Sequence, residues 1–437
     1  MRQIKERESW ASQIGFILAS AGSAIGLGNI WRFPYVTGTN GGAAFILIYL
    51  IAILLIGVPI MITEMSMGRK TNRNPVGAFK SLASKTPWWL VGALGVFTGF
   101  VILSYYSVVA GWSLSYIFKA LRGVFTPGAE MGAVFEGHIT SPGISIFWHA
   151  VFMILTISII SAGVVKGIQR WVKILMPVLF GILIILVIRS VTLPGAAEGL
   201  NFYLSPNFGD ITAQSLLDAI AQAFFTLSLG MGAVITYGSY LRDKDTIADN
   251  AGWVVGLDTF VAIIAGFAIF PAVFAFDLAP ETGPGLTFIT LPGVFAEMPF
   301  GEFFGFMFFL LLSIAALTSA ISLLEVVTAY MIDEHQWPRK KAAMIIGAII
   351  FVMGIPPVLG YSTLSEISFL GMDILDTYDW FANSIFLPLG GLLTAIFAGY
   401  VWGARNLAEE ANKNKGKINV GKWYEILIKY IVPVAIG

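Results

Sequence analysis

Residues Ala19 to Pro34 read ASAGSAIGLGNIWRFP. They fall in the first long apolar run, where a membrane-spanning helix belongs. Yet they carry Gly22, Gly26 and Gly28, two serines, Asn29 and Arg32. Glycine is a poor helix former, and Gly26-Leu27-Gly28 invites the backbone to leave the helix. In hydrocarbon, freed N–H and C=O groups are tolerated only where they line a cavity in the protein. The stretch therefore reads as a broken helix whose loose backbone binds something. The competing reading is a Gly-rich helix packed closely on a neighbour.

Composition supports the membrane setting. The 437 residues are 57% hydrophobic and 12% charged, against about 25% charged in soluble domains. Net charge is zero, which gives no case for nucleic acid. Cysteine is absent, so there is neither a disulfide frame nor thiol chemistry. Three histidines and no HExxH spacing argue against a metalloenzyme. The apolar run after MRQIKERESW is too long for a cleaved signal peptide.

A span needs about 20 mainly apolar residues. That rule gives eleven: 11–36, 42–68, 88–118, 145–163, 168–190, 212–240, 252–276, 301–332, 341–357, 375–402 and a short 423–437. With the N-terminus cytoplasmic, 21 of the 26 Lys and Arg lie on the inner side and three on the outer. The positive-inside rule selects that orientation. The Lys- and Arg-free segment 277–300 reads as an external loop packed on the protein.

Span 6 has its own interruption, Ser228-Leu229-Gly230-Met231-Gly232. Spans 1 and 6 each open a block of five, and an odd number of spans inverts the second block. Paired interruptions at matching places in two halves point to a transporter binding site. The expected fold is an all-α polytopic membrane protein, a 5+5 inverted repeat with broken spans 1 and 6 plus an eleventh span. Residues 1–10 form an N-terminal segment, 11–190 the first repeat, 191–402 the second, and 403–437 a cytoplasmic loop with span 11.

Two further features carry chemistry. Ala315, Thr318 and Ser319 share one helical face by their i, i+3, i+4 spacing. Such a small polar face serves helix packing or offers oxygens to a hard cation. Asp258 is an intramembrane carboxylate, a functional candidate by default. Its span holds no Lys or Arg that it could merely neutralise.

The motifs GSAIGLGNIWRFPY, NGGAAF, PIMITEMSMGR, FFTLSLGMGAVITYGSY, FITLPGVF and ALTSAIS resemble the neurotransmitter:sodium symporter family, and its bacterial amino-acid carriers in particular. The likeness runs from Trp10 to Trp402. It implies two sodium sites. The first would use the Ala24 carbonyl, Asn29, Thr226 and Asp258, where the family usually has asparagine at the last position. The second would use the carbonyls of Gly22, Ile25 and Ala315 with the hydroxyls of Thr318 and Ser319. A substrate carboxylate would meet the half-helix N-termini near Gly28 and Gly230–Gly232, helped by Tyr106. Its ammonium would face carbonyls near Ser23, Phe225 and Thr226. The uncharged pocket of Ser23, Ala24, Gly26, Gly28, Ile102, Phe225, Ser228, Met231, Ser319 and Leu323 suits apolar side chains. Gly26 replaces the aspartate of amine-carrying members, so the substrate should bring its own carboxylate.

The resemblance also implies gates. Arg32 and Asp379 would close the outside, and Arg7 and Trp10 would meet Asp333 and Tyr240 inside. Glu64 would hydrogen-bond the span-1 break. Gly167 and Pro177 would bracket a part of span 5 able to unwind, the competing reading being a static proline kink. No chloride is expected. The expected protein is therefore a sodium-coupled symporter in a bacterial plasma membrane, importing neutral hydrophobic L-amino acids, aliphatic and aromatic, by alternating access. It needs the lipid bilayer and no obligate protein partner. The alternative is a non-cycling amino-acid sensor of the same fold. A channel lacks its charge ring, and an ATP-driven pump lacks GxxxxGK[ST].

Overall fold

The computed structural model describes residues 8–276 and 285–437. Among these the regular structure is helical, apart from one isolated bridge between Phe369 and Met372. The principal helices are α1 (Gln13–Ala24), α2 (Gly28–Thr39), α3 (Ala43–Thr71), α4 (Trp89–Leu121), α5 (Pro142–Ser161) and α6 (Val164–Val191). They continue with α7 (Ala213–Thr226), α8 (Ala233–Gly238), α9 (Ile247–Ala275), α10 (Gly301–His335), α11 (Arg339–Leu359), α12 (Ile374–Ala411) and α13 (422–436).

Among the described residues, eight helices are long and apolar enough to cross a bilayer. The α1–α2 pair, bent by 48°, makes a ninth span. The other two expected spans look different. Stretch 212–240 is split into α7 and α8, of 14 and 6 residues. Stretch 422–436 winds as α, then π, then α. A hydropathy window averages over a break, so it reads α7 and α8 as one segment. The segment 277–300 contains an apolar helix, Leu286–Glu297, whose Leu286, Phe288 and Val294 are buried. Its residues 277–284 lie outside those described.

Helix α10 is the axle of the bundle. Its most apolar window is 89% buried, against 33% for α6. Small residues explain the enclosure: Ala315, Ala316, Ser319, Ala320 and Ser322 let neighbours approach closely. Helix α6 instead turns Ile174, Val178, Ile185 and Ile188 outward, as a lipid-facing stripe should.

Both interruptions are real breaks. Helix α1 stops at Ala24, and Ile25 is extended, with φ −72° and ψ 100°. In the second break Gly230 and Gly232 each have φ +76°, and Ser228 has φ +55°, rare for a residue with a side chain. Val164–Gln169 wind as a π-turn after Gly163, whose φ is +95°. A Cβ on Gly167 would fall 2.1 Å from the Ile159 carbonyl oxygen, so the tight α5–α6 junction requires that glycine. Pro177 lies inside α6, and both residues are in helix here.

Candidate functional site

The breaks in 25–27 and 227–232 face one buried cavity. Its lining is Ser23, Ala24, Gly26, Gly28, Ile102, Tyr106, Phe225, Ser228, Met231, Ser319 and Leu323. These are all the expected pocket residues except Thr226, which turns its hydroxyl to Asp258 instead. Gly26 is dictated by space: a Cβ there would lie 2.3 Å from Ser319 Oγ and 2.8 Å from Tyr106 Oη. The Tyr106 hydroxyl accepts from Leu27 N at 3.1 Å, at the start of α2. Ser228 Oγ and Ser319 Oγ each donate to the Ser23 carbonyl at 3.0 Å, so this oxygen collects donors at the cavity wall.

Beside the cavity the expected second sodium cluster comes together. Thr318 Oγ1 lies 3.4 Å from the Ile25 oxygen and 3.0 Å from that of Ala315. Ser319 Oγ lies 3.4 Å from the Ile25 oxygen and 3.5 Å from that of Gly22. Broken α1 thus turns two free carbonyls toward two hydroxyls of α10. Neutral oxygens only suit a hard monovalent cation. Among the described residues no three His, Cys, Asp or Glu side chains group as a metal site.

The first cluster also assembles. Asp258, fully buried, accepts from Asn29 Nδ2 at 2.8 Å and from Thr226 Oγ1 at 3.0 Å. Asn29 Oδ1 accepts from Gly26 N at 3.0 Å, and Ala24 lines the cavity next to it.

The gates are more mixed. Arg32 and Asp379 do not pair in this conformation. Arg32 Nη1 donates to Gln222 Oε1 at 2.7 Å, and its guanidinium lies 5.8 Å from the Phe225 ring centre. Asp379 Oδ1 accepts from Asn383 Nδ2 at 2.7 Å. At the other end Trp10 is buried. Its Nε1 donates to the Tyr237 carbonyl and its N to the Tyr240 carbonyl, both at 3.0 Å. Tyr240 Oη donates to Glu325 Oε1 at 2.5 Å. Asp333 accepts from the Asn74 backbone at 2.8 Å. Arg7 lies outside the described residues.

Several partnerships escaped the sequence reading. Glu64 does not hold the first break; its Oε1 accepts from Gly230 N, in the second, at 2.8 Å. Buried Gln222 bridges the sites, donating to the Gly28 carbonyl at 2.8 Å while receiving Arg32. Its i, i+4 relation to Thr226 was the available signal. Glu325 is buried and bidentate on Arg339, at 2.7 and 2.9 Å. Arg69 is buried on Glu410 at 2.8 Å and also donates to the Asp245 carbonyl at 2.6 Å.

Comparison with known proteins agrees along the whole chain. The model of the Sodium:neurotransmitter symporter family matches residues 7–128 and 131–436. An uncharacterized sodium-dependent transporter of Bacillus subtilis (strain 168), YhdH, is 43% identical over 98% of this chain and 95% of its own length. One from Haemophilus influenzae is 38% identical over 99% of this chain and 97% of its own. The crystal structure of MhsT in complex with L-phenylalanine superposes with a TM-score of 0.92 at 49% identity, covering 99% of this chain and 98% of that one.

Proposed function

Since the chain belongs to the sodium:neurotransmitter symporter family and is an integral membrane transporter, we propose that it imports neutral hydrophobic L-amino acids, aliphatic and aromatic, together with two sodium ions. The observation that carries this reading is the shared wall: one uncharged cavity built from both helix breaks, with an oxygen cluster on either side. The MhsT complex contains L-phenylalanine, which supports an amino acid as cargo.

The division of labour follows from the chain's groups. The positive N-terminal end of α2 and the Tyr106 hydroxyl would receive the substrate carboxylate. The ammonium would face the carbonyls near Ser23, Phe225 and Thr226. Ile102, Phe225, Met231 and Leu323 would pack on the side chain, with Met231 adapting to varied shapes. Residues 11–190 and 191–402 would be the two inverted halves, with the N-terminus cytoplasmic and the cell membrane as location. Each sodium ion falling through about 100 mV supplies roughly 2.3 kcal/mol, and no covalent chemistry is required.

The test is uptake of labelled phenylalanine into proteoliposomes. A sodium gradient should drive accumulation; potassium or choline in its place should not. Tryptophan should compete, and tryptamine, lacking a carboxylate, should not. Binding without uptake would mark the chain as a sensor. Uptake unchanged without sodium would refute the proposal.

The outer gate gives a second expectation. Arg32 holds Gln222 and lies over the Phe225 ring, but it does not itself line the cavity. Arg32→Ala should therefore lower uptake about tenfold while equilibrium substrate affinity shifts less than about threefold, because closure is lost rather than contact. Equal losses in both would put Arg32 in the binding site.

A further inference from the structure

Three serines, Ser23, Ser228 and Ser319, line the cavity, and each hydroxyl carries a single proton. The protein takes all three. Ser228 Oγ and Ser319 Oγ donate to the Ser23 carbonyl, both at 3.0 Å. Ser23 Oγ donates to Ser322 Oγ at 2.6 Å. Ser322 is buried on α10 and is not part of the lining. Its own proton goes to the Ser319 carbonyl at 2.8 Å, so toward Ser23 it can only accept. A serine that bonds back to its own helix satisfies its donor and leaves lone pairs over. Here one of them serves α1. Tyr106 differs: its oxygen accepts from Leu27 N, which leaves its proton to give.

The direction of these bonds decides what the wall can offer. A serine whose proton is committed presents only lone pairs to a ligand. An oxygen acceptor on a substrate side chain would lose its water on entry and find no donor among the three serines, which is costly. An apolar side chain loses nothing there. A cation at the second cluster would draw on the lone pairs of Ser319 Oγ and not on its proton, so sodium loading would leave the wall equally poor in donors. Of the three bonds, the one from Ser23 depends on a residue outside the cavity. Without the Ser322 oxygen, the Ser23 proton is free to turn toward the substrate.

We propose that Ser322 is a positioning residue for selectivity: by accepting the Ser23 proton it keeps the cavity wall free of serine donors, so that amino acids with an oxygen acceptor early in the side chain are refused. The inference rests on the amino-acid reading above. With the ammonium facing the carbonyls near Ser23, the Ser23 hydroxyl would sit beside the first atoms of the substrate side chain.

The probes are L-norvaline and L-O-methylserine, which differ only in a γ methylene against a γ oxygen. Each would displace labelled L-phenylalanine from the full chain in nanodiscs at saturating sodium. The ratio of the two affinities is read on one sample, so a reduced folded fraction cancels. The native protein should favour norvaline by at least about tenfold, because the ether oxygen is desolvated without a donor. Ser322→Ala should shrink that ratio about fivefold, the factor of one net hydrogen bond. Adding Ser23→Ala, which removes the freed proton as well, should return the ratio to the native value. A ratio unmoved by Ser322→Ala would overturn the proposal. So would a double variant that keeps the ratio of Ser322→Ala, since loosened packing rather than a proton would then be the cause. A native chain that binds neither phenylalanine nor norvaline would overturn the amino-acid reading and this one together, whereas norvaline binding with an unmoved ratio overturns this one alone.

Discussion

Alanine at both Thr318 and Ser319 should lower sodium affinity by at least about a hundredfold and abolish sodium-driven uptake, while the protein still folds. Each hydroxyl lies within 3.5 Å of the Ile25 carbonyl oxygen and is directed at the same small space. A hydrogen-bonding or ligand contact to a charged partner is worth about 1.5–3 kcal/mol. Neighbouring losses add incompletely, which sets the floor at a hundredfold rather than far more. Alanine keeps the helix, and both positions are inside the most enclosed span, so packing changes by two hydroxyls and a methyl. The measurement is sodium-dependent binding of labelled substrate, with thermal unfolding alongside. Thr318→Ser, which keeps an oxygen, should restore most of the affinity in a Ser319 background. A double variant that binds sodium as the native protein does would remove the α10 hydroxyls from the cation site.

The second large effect is expected at Asp258. Two sodium ions beside a zwitterion, as proposed, would leave net positive charge in a water-poor site, and unbalanced buried charge is expensive. Asp258 is fully buried, and the side chains that donate to it, Asn29 and Thr226, are neutral. Its charge is thus available to an ion. One turn further along α9 stands Ala262, which can carry no charge. Native transport should therefore be equal in chloride and in gluconate at neutral pH. Asp258→Asn preserves shape and changes charge. It should lose uptake in gluconate by about a hundredfold or more, with any activity that survives depending on chloride. A native protein that requires chloride, or an Asp258→Asn protein indifferent to it, would assign the balancing charge elsewhere.

The parts of this site that could be read from sequence are those written in local pattern. Glycines and small polar residues clustered in an apolar run announced both breaks. The i, i+3, i+4 row of Ala315, Thr318 and Ser319 announced the face of α10 that meets the first break. What stayed hidden depends on which helices meet. Glu64 in an apolar span is legible as a buried acid, but nothing in its neighbourhood says that Gly230 rather than the first break receives it. Gln222, Glu325 with Arg339, and Arg69 with Glu410 are likewise pairings across the fold. Arg32 and Asp379 are both half-buried and do not pair in this conformation, where a buried glutamine holds the arginine instead.

Ser319 stands in both places at once. Its Oγ lies 3.4 and 3.5 Å from two oxygens of the proposed cation cluster, and the same side chain lines the proposed substrate cavity. Binding free energies joined through a common group obey reciprocity. Whatever factor saturating sodium adds to the affinity for the amino acid, the saturating amino acid must add to the affinity for that sodium. Two titrations performed in opposite order should thus return a single coupling constant, and shortening this one side chain should shrink it from both directions alike.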